Sequence, residues 1–303
     1  MQALQIDTFQ ETAAHAIRAL SALSNFTGAP EDIREIPIMR KLVGKMMRGE
    51  KLTFILPAFP AKSPSPQKTC GILPDLGEVL ALKNLNQMCG EISGHYAPGA
   101  EVIICSDGRV FSDVVGVSDE QITAYAEGID AIIKEFHLAH LKTFAMDDLH
   151  PGKEGDELRA ELLKSFSVST EEMREKAKNN PALFNGLHKF MIEDQMGLVE
   201  MSKNQLNKLM KEKTYELMKR SDAWSGLLET YFPDSLRLSI HPYPLTHEKF
   251  GVKLVTSSEK WATPWHNVTV KTEQGFILMH KARALEMGAK ESSLGGKYAF
   301  FEL

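Results

Sequence analysis

Cysteine is scarce in this 303-residue chain: Cys70, Cys89 and Cys105 form no CxxC pair and no zinc-ribbon spacing. That excludes a secreted disulfide framework and points to a reducing, cytoplasmic setting. No apolar run approaches the roughly 18 to 20 residues of a membrane helix, and the start, MQALQIDTFQE, is acidic and amphipathic where a signal peptide is basic, then apolar. Positive charge is not in excess either. Lys and Arg number 35 against 40 Asp and Glu, so a net charge of −5 gives no reason to seek nucleic acid or anionic lipid, and any anion site must be local. GxGxxG, GxxxxGKS/T and GxSxG are absent, which removes the fingerprints of dinucleotide binding, the P-loop and the α/β-hydrolases. What is present, 43% hydrophobic and 25% charged residues, builds a large core without staples.

Ile6, Phe9, Ala13, Ala16, Ile17 and Leu20 share one helical face, predicting an amphipathic helix over about 4–24. A Gly-Pro turn at 28–30 follows. LTFIL at 52–56 reads as a buried strand, and Pro57, Pro60, Pro64 and Pro66 make the next stretch a stiff, irregular loop. Asp75 with Glu78 is a capping pair that opens a helix with Val79, Leu82, Leu85, Cys89 and Ile92 as its buried stripe. The same grammar recurs: VIIC at 102–105 is a strand, 106–117 a loop, and Ser118 with Gln121 opens a helix carrying Ile122, Tyr125, Ala126, Ile129, Ile132, Ile133 and Phe136 on one side.

Two such units predict an α/β fold, a mostly parallel sheet flanked by helices in a Rossmann-like variant. Residues about 137–230 read as a helical insertion or cap with solvated charges and a buried face at Leu206, Leu209, Met210 and Leu217. Strands return at 236–240, 251–255 and 267–279, the last with a hairpin around Gly275, giving a C-terminal mixed or antiparallel region. No repeat or flexible linker divides the chain, so 1–303 is read as one domain.

Ligands of open α/β sheets bind beyond the carboxyl ends of the strands. Three predicted strand ends are loaded with polar residues: Lys62, Ser63 and Lys68 after the first, Ser106, Asp107, Arg109 and Asp113 after the second, and His241 after the third, with Lys249 shortly behind. If these ends meet, the site suits a small phosphorylated or carboxylated ligand and acid–base work. Plainer readings stand beside this one. Lys62 and Lys68 would be simply exposed, Asp107 and Gly108 would shape a turn, and His241 would be an ordinary strand-end histidine. Trp261 and Trp265 serve as core anchors, or TPWH at 263–266 lines a pocket for an aromatic substrate. Asp147, Asp148 and His150 read as a polar loop before Pro151 and Gly152 in preference to a metal site.

LPAFPAKSPSPQK at 56–68, LPDLGEVLAL at 73–82 and ICSDGRVFSDVVGV at 104–117 closely resemble the isonitrile (isocyanide) synthase family typified by PvcA and related to the fungal spore-wall dityrosine enzymes. RLSIHPY at 237–243, KFGVKL at 249–254 and TPWH are similar to its later motifs. The resemblance implies an enzyme that converts the α-amino group of tyrosine or tryptophan into an isonitrile, taking the new carbon from C2 of ribulose 5-phosphate as co-substrate. It implies no metal or redox cofactor, and a place in sequence with an iron(II)- and 2-oxoglutarate-dependent oxygenase. Lys62, Asp107 and His241 would then be catalytic. Lys62, Ser63 and Lys68 would hold phosphate or polarise the ketone, Asp107 and His241 would move protons, Arg109 and Arg237 would bind anionic groups, and Asp113 would orient a cation. Ser106, Lys249, Trp265 and His266 complete the substrate-binding set. Formation of an N-formyl amino acid, as on the dityrosine side, is the alternative chemistry. A non-catalytic phosphosugar-binding protein is the alternative class, and metal-dependent oxidation through His241 or His266 lacks a two-histidine, one-carboxylate spacing.

Overall fold

A strand covered on both faces needs a near-continuous apolar run, and LTFILP, broken only by Thr53, supplies one. In the computed structural model, which describes residues 2–27, 36–195, 198, 200–241, 243–244, 248–259 and 262–303, this strand is the middle of a five-stranded sheet. The turn expected at 28–30 and Trp261 lie outside the described residues.

The chain begins with α1 (Gln2–Ser21), a two-residue strand β1 (Phe26–Thr27) and α2 (Pro37–Met47). Then come β2 (Leu52–Pro57), α3 (Leu76–His95), β3 (Ala100–Cys105), α4 (Gly108–Val115), α5 (Asp119–Glu135) and β4 (Leu141–Phe144). A run of helices follows: α6 (Met146–Leu149), α7 (Gly155–Phe166), α8 (Thr170–Asn179), α9 (Pro181–Gln195) and α10 (Lys203–Tyr231). The last part holds β5 (Leu236–Ser239), β6 (Tyr243–Pro244), β7 (Phe250–Gly251), a single 3-10 turn (Pro264–His266), β8 (Val268–Thr272), β9 (Gly275–Met279), α11 (Lys281–Glu286), β10 (Lys290–Leu294) and β11 (Tyr298–Glu302).

The main sheet is parallel throughout, in the order β4-β3-β2-β5-β7. Leu52, Phe54 and Leu56 of β2 join a core with Val79, Leu82 and Leu85 of α3 and with Ile122, Tyr125 and Ile129 of α5. On the other face Ile55 and Cys105 pack against Trp224, Leu227 and Leu228 of α10. The chain runs outward from β2 through β3 to β4, then returns to β5 on the opposite side of β2. That reversal opens a crevice at the carboxyl ends, the usual place for a ligand. The expected α/β class holds, and the second sheet, β10-β11-β8-β9, is mixed, with β8 and β9 forming the hairpin through Gly275 at φ 116.

Both capping pairs form. Asp75 accepts from the Gly77 amide at 2.8 Å while Glu78 accepts from the Asp75 amide at 2.9 Å, and Ser118 and Gln121 do the same for α5. Other expectations need correction. Residues 106–117 are not a loop: Val110 and Val114, one turn apart, are both buried, and helix α4 runs until Gly116 takes the left-handed φ of 77 that ends it. The region read as wholly helical from 137 contains β4, which pairs with β3, so the cap starts only at α6. The strand expected at 251–255 shrinks to β7, with Val252 bridging to Ser24, and α2 was not foreseen. Among the described residues no helix is long and apolar enough to cross a membrane.

Candidate active site

The carboxyl ends of β3, β2 and β5, adjacent in the sheet, open into a cavity of about 390 Å³, within the roughly 300 to 1,000 Å³ of small-molecule sites. Its walls are residues 60–64 after β2, Asp107 and Gly108 after β3, Ile240 and His241 after β5, Trp265 and His266 from the 3-10 turn, and the inner face of α9. The Pro-rich loop is held firmly. Phe59 adopts φ 58, costly for a non-glycine residue, and is kept there by burial against the Trp265 ring at 5.2 Å. The Ser63 amide donates to the Trp265 carbonyl at 2.8 Å. Gly108 lies so close that a Cβ there would sit 2.0 Å from the Pro60 carbonyl oxygen.

Lys62 does not project into solvent. Its ammonium is enclosed and reaches Asp75 at 2.7 Å, Glu78 at 2.8 Å and the Pro264 carbonyl at 3.0 Å, which occupies all three donors of an ammonium. Asp75 and Glu78 thus cap α3 and grip Lys62 together. Burial pushes the Glu78 carboxyl up to about 7 against the pull of Lys62, with the Asp75 charge adding to the rise. Tyr125, read from sequence as a core residue, donates its hydroxyl to Glu78 at 3.0 Å.

Asp107 is the opposite case. It stands at the N-cap of α4 without a side-chain capping bond, and its buried Oδ1 meets no hydrogen-bond partner among the described residues. The plainer reading, in which this carboxyl only shapes a turn, finds no side-chain capping bond to support it. Burial pushes it up to about 7, only partly offset by its own backbone and the Arg237 charge. A carboxyl poised near neutrality on a cavity wall is suited to take and return a proton.

A carboxylate that the sequence reading placed among solvated cap charges completes the site. Asp194, buried in the last turn of α9, accepts from Ser63 Oγ at 2.9 Å and Lys68 Nζ at 2.6 Å, and lies 3.7 Å from His266 Nε2. His266 is crowded by protein although it lines the cavity, and burial, outweighing Asp194, pushes its imidazole down to about 4. His241 reaches water through the cavity yet is surrounded on most sides; burial and then the Lys249 charge take it to about 4 as well. Both histidines are therefore neutral at pH 7.

The structure brings Lys62, Ser63, Asp107, His241, Trp265 and His266 to one cavity, with Lys68 beside it through Asp194. It turns others away. Ser106 and Arg109 line a separate cavity next to β4, where Arg109 donates to the Asp119 carbonyl and Thr123 Oγ1, both at 2.8 Å, and pairs with Asp147. Asp113 is paired with Arg220 of α10, and Arg159 of α7 holds Asp119 at 3.0 Å, so these groups fasten the cap to α4 and α5. Arg237 and Lys249 line a further cavity of about 730 Å³ beside β5, from which their charges reach Asp107 and His241. Asp148 caps α6 by accepting from the Ala145 amide, and no three His, Cys, Asp or Glu side chains gather as a metal-binding group among the described residues.

Residues 43–292 match the family model described as pyoverdine/dityrosine biosynthesis protein. The chain belongs to this family. It is 41% identical over 269 residues to the L-tryptophan isonitrile synthase AmbI2 of Fischerella ambigua, covering 88% of this chain and 82% of that protein. To the L-tyrosine isonitrile synthase of Pseudomonas aeruginosa it is 36% identical over 285 residues, covering 90% and 86%. The crystal structure of PvcA from Pseudomonas aeruginosa superposes with a TM-score of 0.88 at 33% identity, over 96% of this chain and 99% of that one. The family member described here is accordingly an enzyme of the isonitrile synthase type, and the strand-end motifs that carried the resemblance are those that wall the cavity.

Proposed function

We propose that this enzyme converts the α-amino group of an aromatic L-amino acid into an isonitrile with ribulose 5-phosphate as carbon donor. The observation that carries the reading is Asp107, a buried carboxyl near neutrality with an unpartnered oxygen on the wall of an aromatic-lined cavity. Relatives named for tryptophan and tyrosine isonitrile synthesis support the substrate class.

Condensing an amine with a ketone forms the N–C2 bond, takes protons from nitrogen and expels water; freeing C2 as the isonitrile carbon then breaks its bonds to C1 and C3, with further protons moved between carbon and oxygen as the sugar leaves in two pieces. In this reading Asp107 accepts and returns those protons. Neutral His241, facing the same cavity, accepts a hydrogen bond or a transient proton. Asp194, held by Ser63 and Lys68, orients the substrate ammonium, and the part-exposed Lys68 ammonium meets the phosphosugar's anionic end. Trp265 and the α9 wall exclude water and hold the ring. No metal or redox cofactor is assigned a step, and the isonitrile product passes to an iron(II)- and 2-oxoglutarate-dependent oxygenase.

The test is incubation of the purified protein with L-tryptophan or L-tyrosine and ribulose 5-phosphate labelled at C2, with mass detection. An isonitrile carrying the label is expected. A labelled N-formyl amino acid would assign the dityrosine-branch reaction instead, and no labelled product with either amino acid would overturn the reading.

A further inference from the structure

Helix α9 turns an apolar stripe toward the cavity, with Leu187 and Phe190 at its edge also packing on the buried cluster around Met191 and Leu206. Leu183, Gly186, Leu187 and Phe190 follow i, i+3, i+4 and i+7 along it and all line the cavity. Leu183 is 48% exposed, a large apolar side chain that the described residues cover only in part. The helix is held from its outer sides, where it packs on α10, α8 and α4.

Gly186 stands out on that stripe. Glycine inside a helix is less stable than alanine, so its presence calls for a reason. At Gly108 and Gly155 the reason is contact, since a Cβ would come 2.0 Å from Pro60 O and from Asp119 Oδ2 respectively. At Gly186 a Cβ meets no described atom within 4 Å, and the residue has no positive φ. The fold does not require a missing side chain there. What the absence creates is volume on the wall of the cavity.

We propose that α9 selects the amino-acid side chain and that Gly186 sets the size of ring admitted. The ring lies along Leu183, Leu187 and Phe190, with its leading edge in the space beside Gly186. Asp194, eight residues further on and so ~12 Å along the helix axis, marks the polar end where the amino group sits. The broader bicyclic indole fills the space beside Gly186; the narrower phenol leaves part of it empty. The proposal rests on the aromatic amino acid reading above and adds the element that discriminates within that class.

The experiment compares wild type, Gly186→Ala and Gly186→Leu, using L-tryptophan and L-tyrosine as probes, by calorimetric binding and by steady-state kinetics with ribulose 5-phosphate. Gly186→Leu should weaken L-tryptophan binding and raise its KM by roughly 10- to 200-fold, the range for a misfit in an apolar pocket, with a smaller effect on L-tyrosine and none on the KM for ribulose 5-phosphate. Gly186→Ala should give a graded, smaller change in the same order. Alanine and leucine are better helix formers than glycine, so melting temperatures should hold or rise. Unchanged L-tryptophan binding in Gly186→Leu, or an equal loss for ribulose 5-phosphate, overturns the proposal while wild-type turnover keeps the function reading intact. Failure of the wild type to bind either amino acid overturns both.

Discussion

Lys62 and Asp107 follow neighbouring strands and border the same cavity, Lys62 buried and Asp107 half-buried with its Oδ1 turned inward, yet their surroundings are opposite. Each ammonium proton of Lys62 has an acceptor, two of them carboxylates that also cap α3. Asp107 has an oxygen with no described donor and a carboxyl pushed up to about 7. A buried charge whose partners are complete resists change and holds structure; one left incomplete keeps its capacity to exchange a proton. From sequence the two look alike, as charged residues just past a strand. Satisfaction, not residue type, separates them.

The contrast breaks most visibly at Asp107. Asp107→Asn should lower kcat by roughly 10² to 10⁴. It should also stabilise the protein above neutral pH. The folded carboxyl titrates at about 7 and the unfolded one near ~3.9, so the wild type has its full stability below ~4 and loses up to ~4 kcal/mol as pH rises through 7. Paired melts near pH 4 and pH 8 should show no gain for the variant at the first and a clear gain at the second. Normal turnover in Asp107→Asn would erase the distinction from Lys62.

Lys62→Met should act on folding, costing about 3 to 5 kcal/mol in denaturant titrations because Asp75 and Glu78 are left buried without their cation. Adding Glu78→Gln should recover part of that loss. Full stability with weakened ribulose 5-phosphate use would instead place Lys62 at the phosphate.

The pH dependence sharpens the same point more gently. kcat/KM should rise by up to about tenfold per unit below pH 7 and level off above it as Asp107 ionises. Neither His241 nor His266 should add a limb between pH 5 and 9, since both are held down at about 4. A second limb near pH 6.5 would show a histidine in more polar surroundings than the structure gives. The smallest effect is expected at Arg109, where Arg109→Ala should cost about 1 kcal/mol of stability and leave the KM for ribulose 5-phosphate unchanged.

What could be read from the sequence was local or positional. Helices α3 and α5 announced themselves through capping pairs and a 3.6-residue stripe, and the meeting of three strand ends followed from the grammar of parallel sheets. The direction of side chains did not follow. Asp107 and Arg109 are two residues apart at the start of a helix, about 200° around its axis at ~100° per residue, so one enters the cavity and the other leaves it. The short strand β4 was hidden because four residues, LKTF, with two exposed, carry no clear period. Helix α4 was hidden behind its polar start, although Val110 and Val114 mark a buried turn. Asp194 was illegible in a stronger sense: its partner Ser63 lies 131 positions away, and only the folded cap brings them together.

The close fit of Gly108 under the Pro60 carbonyl also bears on traffic through the site. With a gap too narrow for even a methyl group, the ends of β2 and β3 form a closely packed wall. Phe59, clamped in its unusual backbone conformation against Trp265, stiffens the same wall. The opposite bank is the open one, where Leu183 on the cavity rim is exposed to water. One bank of the cavity is fixed masonry, where even a methyl group at Gly108 has no room, and the other is a helix face open enough to be recut.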